Sequence, residues 1–345
     1  MRVIVASTIA PFIEGGSTFI VDWLEQTLRE FGHDVDVLKI PFYSYYPEMP
    51  AQMLALRLMD VAAHGDRLIA IRTPAYLLRH PNKVLWFIHH HRGAYDLWGT
   101  PYQDLPDAPV GRAYRRAIVS ADHLAFSEAR HIYTNSAVVS KRLKDFNDVD
   151  SEVLYPPVLK PQRFHARSYG DYILYVSRIV HHKRQSLAVE AMRYTRTPVK
   201  LVVAGKADDP GLESQLRQTV QQHGLQDKVT LDFRWISEEQ KVEYLADCLA
   251  AIYIPFDEDS YGYPSLEAHH ARKAVISATD SGGTSELIRD GNNGFLADPD
   301  PRAIAECMDR LYLDPKLARD MGENGLERIR ELGITWERVM EKLLA

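Results

Sequence analysis

Cysteine is almost missing from this 345-residue chain, which has only Cys248 and Cys307. One pair cannot build a disulfide framework, and neither residue sits in a CxxC or Cys/His spacing, so the chain reads as a protein of a reducing cytosol. Long apolar runs are missing as well. No stretch approaches the roughly 18 uninterrupted apolar residues of a spanning helix, so any membrane contact would be peripheral, at the inner face. The N-terminus, MRVIVAS, carries no charged leader or small-residue cleavage site and reads as a first strand. Positive charge is not in excess. With 41 Lys and Arg against 47 Asp and Glu, a formal charge of −6, no nucleic-acid partner is expected. Internal repeats and low-complexity tracts are also lacking.

What is present is the composition of a folded protein, 46% hydrophobic and 26% charged. The length exceeds the roughly 250–300 residues that one core serves, so two domains are expected. Short β-branched runs at 3–7 and 34–38 bracket an amphipathic stretch at 18–31, and Gly32 supplies a left-handed cap between them. This is a βαβ pattern. It continues with strands expected at 67–72, 83–89 and 131–136 and helices at 51–63 and 111–127. A Pro-containing segment, YPPVLKPQRF, then interrupts it. The alternation restarts with strands at 172–178, 199–205, 228–233, 250–256 and 274–279, separated by helices at 185–194, 211–223, 238–246, 264–270 and 302–311. The fold class is therefore α/β: two Rossmann-like, doubly wound parallel sheets, spanning 1–164 and 165–325, that face each other across a cleft.

Five segments carry chemistry. DSYGYPSLE follows an apolar strand and opens a helix, so that Gly262 permits close backbone approach and the amides of Tyr263, Pro264 and Ser265 open a helix N-terminus suited to phosphate or sugar oxygens, although Pro264 itself has no N–H. Asp259 and Glu267 stand eight apart on that loop and helix, a spacing that serves two hydroxyl-bearing rings; the same residues also fit a plain turn with solvated acids. Arg178 ends a strand and Lys183 follows five residues later, a fork and a point charge suited to a diphosphate leaving group, or simply solvated bases on a loop. Gly15, Gly16 and Ser17 follow the first strand where a phosphate nest would form. They do not make GxGxxG, and no acid ends the second strand, which argues against a nicotinamide or flavin enzyme. His89, His90 and His91 are adjacent and cannot easily converge on one ion, so no metal is assigned to them. DSGGTSEL places Gly282 and Gly283 between a strand and a helix, as a close backbone approach or an ordinary tight turn.

In order and spacing, SRIVHHKR, DSYGYPSLEA, DSGGTSELI, GNNGFL, WFIHHH and YTNSAVVSKRL together closely resemble the GT-B retaining glycosyltransferases of family 4. The resemblance covers nearly the whole chain. It implies that Arg178 and Lys183 hold a diphosphate, Glu267 accepts nucleotide ribose hydroxyls, Asp259 contacts the transferred sugar, Gly15 and Gly16 approach phosphates, and His89 lies beside the reacting centre. Arg234, Trp235 and Ile236 would border the nucleobase, with Arg234 where the family commonly has Gly. The first motif acid is Asp259 instead of the usual Glu, and Glu258 stands directly before it. In an extended segment only one of the two can easily face the sugar unless the loop bulges, in which case an extra residue would return the role to Glu258, and the spacing favours Asp259.

The implied protein is a cytoplasmic, metal-independent hexosyltransferase with no cofactor and a UDP- or GDP-hexose as co-substrate. Its acceptor would be a glycan or lipid-linked hydroxyl in surface polysaccharide synthesis. A closing helix within 326–345 would cross back to the first domain. A GT-B epimerase, a phosphorylase, or a non-catalytic sugar-nucleotide-binding subunit are the alternatives.

Overall fold

The computed structural model describes residues 1–9, 16–100 and 103–345. The chain divides into two compact units, Met1–Pro157 with Thr335–Ala345, and Val158–Ile334. In the first, β1 (Arg2–Ile9), β2 (Asp34–Pro41), β3 (Arg67–Ala70), β4 (Lys83–Phe87), β5 (His131–Thr134) and β6 (Glu152–Val153) form a parallel sheet in the order β2-β1-β3-β4-β5-β6. In the second, β7 (Tyr172–Val176), β8 (Lys200–Ala204), β9 (Val229–Asp232), β10 (Ala250–Ile252), β11 (Ala274–Ala278) and β12 (Gly294–Ala297) form another, in the order β12-β11-β10-β7-β8-β9. The first unit carries α1 (Gly16–Glu30), α2 (Met49–Leu58), α3 (Pro109–Ser127) and α4 (Ala137–Asn147). The second carries α5 (Gln185–Ala191), α6 (Pro210–Gln222), α7 (Glu238–Asp247), α8 (Tyr263–His270), α9 (Thr284–Leu287), α10 (Pro301–Leu313) and α11 (Pro315–Glu331). α12 (Trp336–Leu344) closes the chain.

Central strands are apolar on both faces because helices cover both. All of β3, β4 and β11 is buried, and the buried set of the second unit runs from Ile173 and Tyr175 through Leu201, Ile252 and Ile276 to Met321. α12 belongs to the first unit. Trp336, Val339, Met340 and Leu343 are buried, the Trp336 ring meets Trp86 edge-on at 6.3 Å, and Arg67 donates to the Leu343 carbonyl at 2.8 Å. Burying each of those side chains contributes roughly 1.5–3 kcal/mol, which holds the last turns on the sheet.

The strand order of the second unit decides where its site lies. From β7 the chain winds outward through β8 to β9, then returns and winds the other way through β10, β11 and β12. The turns leaving β7 and β10 therefore part at one point beyond the carboxyl ends of the strands, where open α/β sheets take their ligands. β10 also ends earlier than its apolar run suggests. The Tyr175 hydroxyl receives the Ile254 amide at 3.4 Å, and the Phe256 amide reaches the His182 carbonyl at 2.7 Å, which draws the chain out of the ladder.

Candidate active site

Lys183 ends a short 3-10 turn, His181–Lys183, between β7 and α5. Its Nζ bonds the Glu258 carboxylate and also donates to the Tyr253 hydroxyl, which itself lies 3.2 Å from Glu258 Oε2. Burial acts to raise the Glu258 carboxyl, but the charge and hydrogen bond of Lys183, with His182 and the Tyr253 hydroxyl, together outweigh it and hold Glu258 below its ordinary value. Arg178 stands earlier on the same connection between β7 and α5, half exposed, with Nη1 2.9 Å from Asp208 Oδ2. The two bases singled out from spacing thus leave one strand end, each on a carboxylate.

Arg184, next to Lys183, went unnoticed in the sequence. Its backbone is left-handed at φ 56°, which a side chain seldom adopts, and its guanidinium accounts for the tolerance. Nε donates to the Ile254 carbonyl at 2.7 Å, Nη2 to that of Pro255 at 2.8 Å, and the fork grips Asp280 at 2.8 and 2.7 Å. One side chain so joins the turns after β7, β10 and β11.

The glycines have structural causes of their own. Gly262 has φ 73°, and a Cβ there would lie 2.1 Å from the Tyr253 ring. Gly282 has φ 59°, a Cβ on it would strike the Glu258 carbonyl at 2.3 Å, and the Gly283 amide donates to that carbonyl at 2.8 Å. The glycine pair is packed against the acidic loop, which is a close approach of backbone to backbone. The acidic loop itself is not extended: Asp257 sits at φ 43° and its amide bonds the Asp280 carbonyl at 3.0 Å. Strict alternation of side chains therefore does not apply to Glu258 and Asp259, and both lie on a bent loop.

α8 begins at this loop with Gly262 as its cap residue, then Tyr263, Pro264 and Ser265. Ser265 is fully buried, and among the described residues its Oγ has no hydrogen-bond partner. Glu267 is 2% exposed, and its Oε1 receives Lys241 Nζ from α7 at 2.6 Å. Burial pushes the Glu267 carboxyl up and Lys241 pulls against it. Lys241 keeps its charge: burial opposes it, but Glu267 and Glu238 prevail and hold its pKa above the ordinary value. Past β9, Arg234 grips Asp232 with two bonds of 2.8 Å, which holds that acid down at about 2, while Trp235 is 54% exposed and Ile236 is half-buried.

In the first unit, Gly15 lies outside the described residues and Gly16 opens α1. The histidines after β4 diverge. His89 Nδ1 donates to the His90 carbonyl at 2.6 Å, His90 Nε2 donates to Asn147 Oδ1 at 2.8 Å, and His91 faces Asp104 at 3.6 Å. Burial, helped by the Arg72 charge, lowers the His89 ring to about 4, so it is neutral at pH 7. The loop is anchored on buried Asp122, which accepts from Tyr76 at 2.8 Å and Tyr95 at 2.7 Å.

Burial pushes the Asp122 carboxyl up to about 7 against the pull of those hydroxyls. An acid that holds its proton more tightly when folded contributes fully below its unfolded value near 4. Between about 4 and 7 the folded state binds the extra proton, so stability falls as pH rises, by at most about 1.4 kcal/mol per pH unit, and levels off above. Asp122→Asn is expected to lack that slope, so its unfolding midpoint relative to the unaltered protein should climb from pH 5 to pH 8. Parallel midpoints would remove Asp122 from the account.

Known proteins resemble this chain in sequence and in architecture. The family described as glycosyl transferases group 1 matches residues 160–328. Human alpha-1,3/1,6-mannosyltransferase ALG2 is 30% identical over 340 residues, covering 90% of this chain and 78% of that protein. The crystal structure of Anabaena HepE in complex with UDP and glucose covers 99% of both chains at TM-score 0.73 and 17% identity. Sucrose-phosphate synthase of Thermosynechococcus elongatus covers 99% of this chain and 97% of that one at TM-score 0.77 and 18% identity. Those two structures share the GT-B fold of two doubly wound sheets. With the human relative aligned along 90% of the chain and the family match lying over Lys183, Glu258 and Glu267, the chain belongs to the group 1 glycosyltransferases.

Proposed function

We propose that the protein transfers a hexose from a nucleotide diphosphate sugar to a hydroxyl of a glycan or lipid-linked acceptor, retaining the anomeric configuration and needing no metal. The observation that carries this reading is the pair of held carboxylates at the start of α8: Glu258 on Lys183 beside the turn that bears Arg178, and Glu267 on Lys241. In this reading Arg178 and Lys183 turn from their carboxylates to the donor diphosphate, Glu267 receives ribose hydroxyls, and Asp259 meets the sugar. Gly15, Gly16 and the first amides of α8 approach phosphate oxygens, and Gly282 and Gly283 form the wall behind them. Trp235, flanked by Arg234 and Ile236, supplies a face for the base. His89, neutral, offers a hydrogen bond at the reacting centre.

The acceptor oxygen attacks the anomeric carbon on the face from which the diphosphate departs, and a phosphate oxygen takes its proton. The protein then supplies position and electrostatic support for the growing negative charge. We place the reaction in the cytoplasm, where a lipid-linked acceptor is met at the inner membrane face; among the described residues no helix is long and apolar enough to cross a membrane. Mannose is the sugar named in the human relative, while UDP and glucose are what the HepE structure holds.

Thermal unfolding with UDP, GDP and ADP and their glucose and mannose conjugates tests the donor, since a specific ligand at 100 times its Kd stabilises by about 2.7 kcal/mol. The stabilising sugar nucleotide, incubated with a hydroxyl acceptor and EDTA, is expected to yield an α-linked product from an α-linked donor by NMR. No shift with any nucleotide defeats the reading, and an inverted product or loss of turnover in EDTA defeats its retaining or metal-free part.

A further inference from the structure

The carboxylate assigned to the ribose does not stand alone. Lys241, which holds it, is itself held by Glu238 Oε1 at 2.7 Å one turn earlier on α7, and Arg163, just after the start of the second unit, bonds Glu238. Charges alternate along the row Arg163, Glu238, Lys241, Glu267. The first turn of α7 is pinned by a capping box, in which Ser237 Oγ accepts from the Gln240 amide at 3.2 Å and the Gln240 side chain accepts from the Ser237 amide at 3.0 Å. Lys241 therefore leaves a helix of settled position.

Three features of the Glu267 and Lys241 pair point beyond a structural ion pair. Both side chains are nearly out of water, at 2% and 12% exposure, so that Glu267 leans on Lys241 for its charge while Lys241 has Glu238 as well. Lys241 takes only Oε1, and among the described residues Oε2 carries no hydrogen bond. Tyr263, one turn before Glu267 on α8, adds no positive charge, so Lys241 is the nearest cation and Arg163 acts from behind Glu238. A carboxylate that must accept two vicinal hydroxyls has to be ionised and has to present a fixed edge. Burial alone pushes it toward protonation and leaves its rotation free.

We propose that Lys241 is a positioning residue of the donor site, which keeps Glu267 ionised and fixes one of its oxygens so that the other receives the vicinal ribose hydroxyls of a nucleoside diphosphate. The proposal rests on the reading that Glu267 is the ribose acceptor. Lys241 touches no substrate in it. Its influence should be confined to ligands that carry the hydroxyls.

The test compares UDP and GDP with their 2′,3′-dideoxy counterparts by calorimetry on the full chain. For the base that binds, the unaltered protein is expected to favour the ribonucleotide by about 10- to 100-fold, the scale of hydrogen bonds to a charged acceptor. Glu267→Gln should bring that ratio close to one. Lys241→Met should lower it at least fivefold while leaving dideoxynucleotide affinity within about twofold, and Lys241→Arg should restore it. Lys241→Gln, which keeps a donor without charge, carries the same expectation if the methionine variant does not fold.

If Glu267→Gln keeps the ratio, the ribose reading itself fails. If Glu267→Gln loses it but the Lys241 variants keep it, the Lys241 inference alone is overturned. Equal loss for both nucleotides in Lys241→Met also overturns it, because that outcome signals general damage to the site.

Discussion

Lys183→Ala is expected to lower kcat for glycosyl transfer by about 10²–10³-fold in a protein that still unfolds cooperatively. Two losses combine in it. In the proposed reaction the departing diphosphate loses a cation whose interaction grows as the bond to the sugar breaks, so the effect falls on kcat more than on donor KM. Glu258 also loses the charge that opposes its burial, and its carboxyl should rise toward protonation, leaving the Tyr253 hydroxyl as its remaining partner in this cluster. Arg178→Ala is expected to lose about a hundredfold. Arg178 is half exposed and rests on Asp208, so its removal leaves no buried group orphaned and should not alter stability measurably. Steady-state kinetics with the stabilising donor, alongside thermal unfolding of each variant, makes the comparison. Near-normal turnover in folded Lys183→Ala would remove it from the reaction.

Asp259→Asn and Glu258→Gln should separate the two neighbouring acids. In the proposed reading the eight-residue spacing to Glu267 gives Asp259 the sugar, and the Lys183 contact gives Glu258 a different task, the holding of a cation. If so, Asp259→Asn loses the margin by which a nucleotide sugar binds over the bare nucleoside diphosphate. The expected loss is about 10- to 100-fold, since a charged acceptor of sugar hydroxyls contributes on the order of 1.5–3 kcal/mol. Glu258→Gln should keep that margin and bind the bare diphosphate more tightly, because Lys183 is no longer neutralised. Paired titrations of each variant with both ligands decide the matter. A lost margin in Glu258→Gln with an intact one in Asp259→Asn would reverse the assignment.

Much of this architecture was legible in the sequence, and the exceptions have physical reasons. Strands such as Lys83–Phe87 and Ala274–Ala278 announce themselves because burial on both faces demands an unbroken apolar run. α11 does not. Its 17 residues carry Gly322 and Gly325 inside the helix, where glycine is ordinarily unfavourable. The fold supplies the cause: a Cβ at Gly322 would lie 1.9 Å from the Arg272 carbonyl and one at Gly325 would lie 2.1 Å from the His269 ring. β12 is four residues long and β6 only two, too short for any period to declare itself. Conversely, the apolar run at 250–256 overstates β10, since Tyr175, far away in sequence, captures the Ile254 amide.

The amino-acid sequence by itself determined the alternation of strand and helix, the two-sheet GT-B class, the family likeness, the turns at which Arg178, Lys183 and Asp259 would stand, and the helix that carries Glu267, because each depends on local pattern and fixed spacing. Tertiary structure alone decided which charges meet. Lys183 finds Glu258 across 75 positions, Arg184 finds Asp280 across 96, and Lys241 finds Glu267 across 26. These partners come together because doubly wound topology carries the carboxyl ends of β7, β9, β10 and β11 to one edge of the sheet. Burial there makes an opposite charge obligatory, a condition that no local period records.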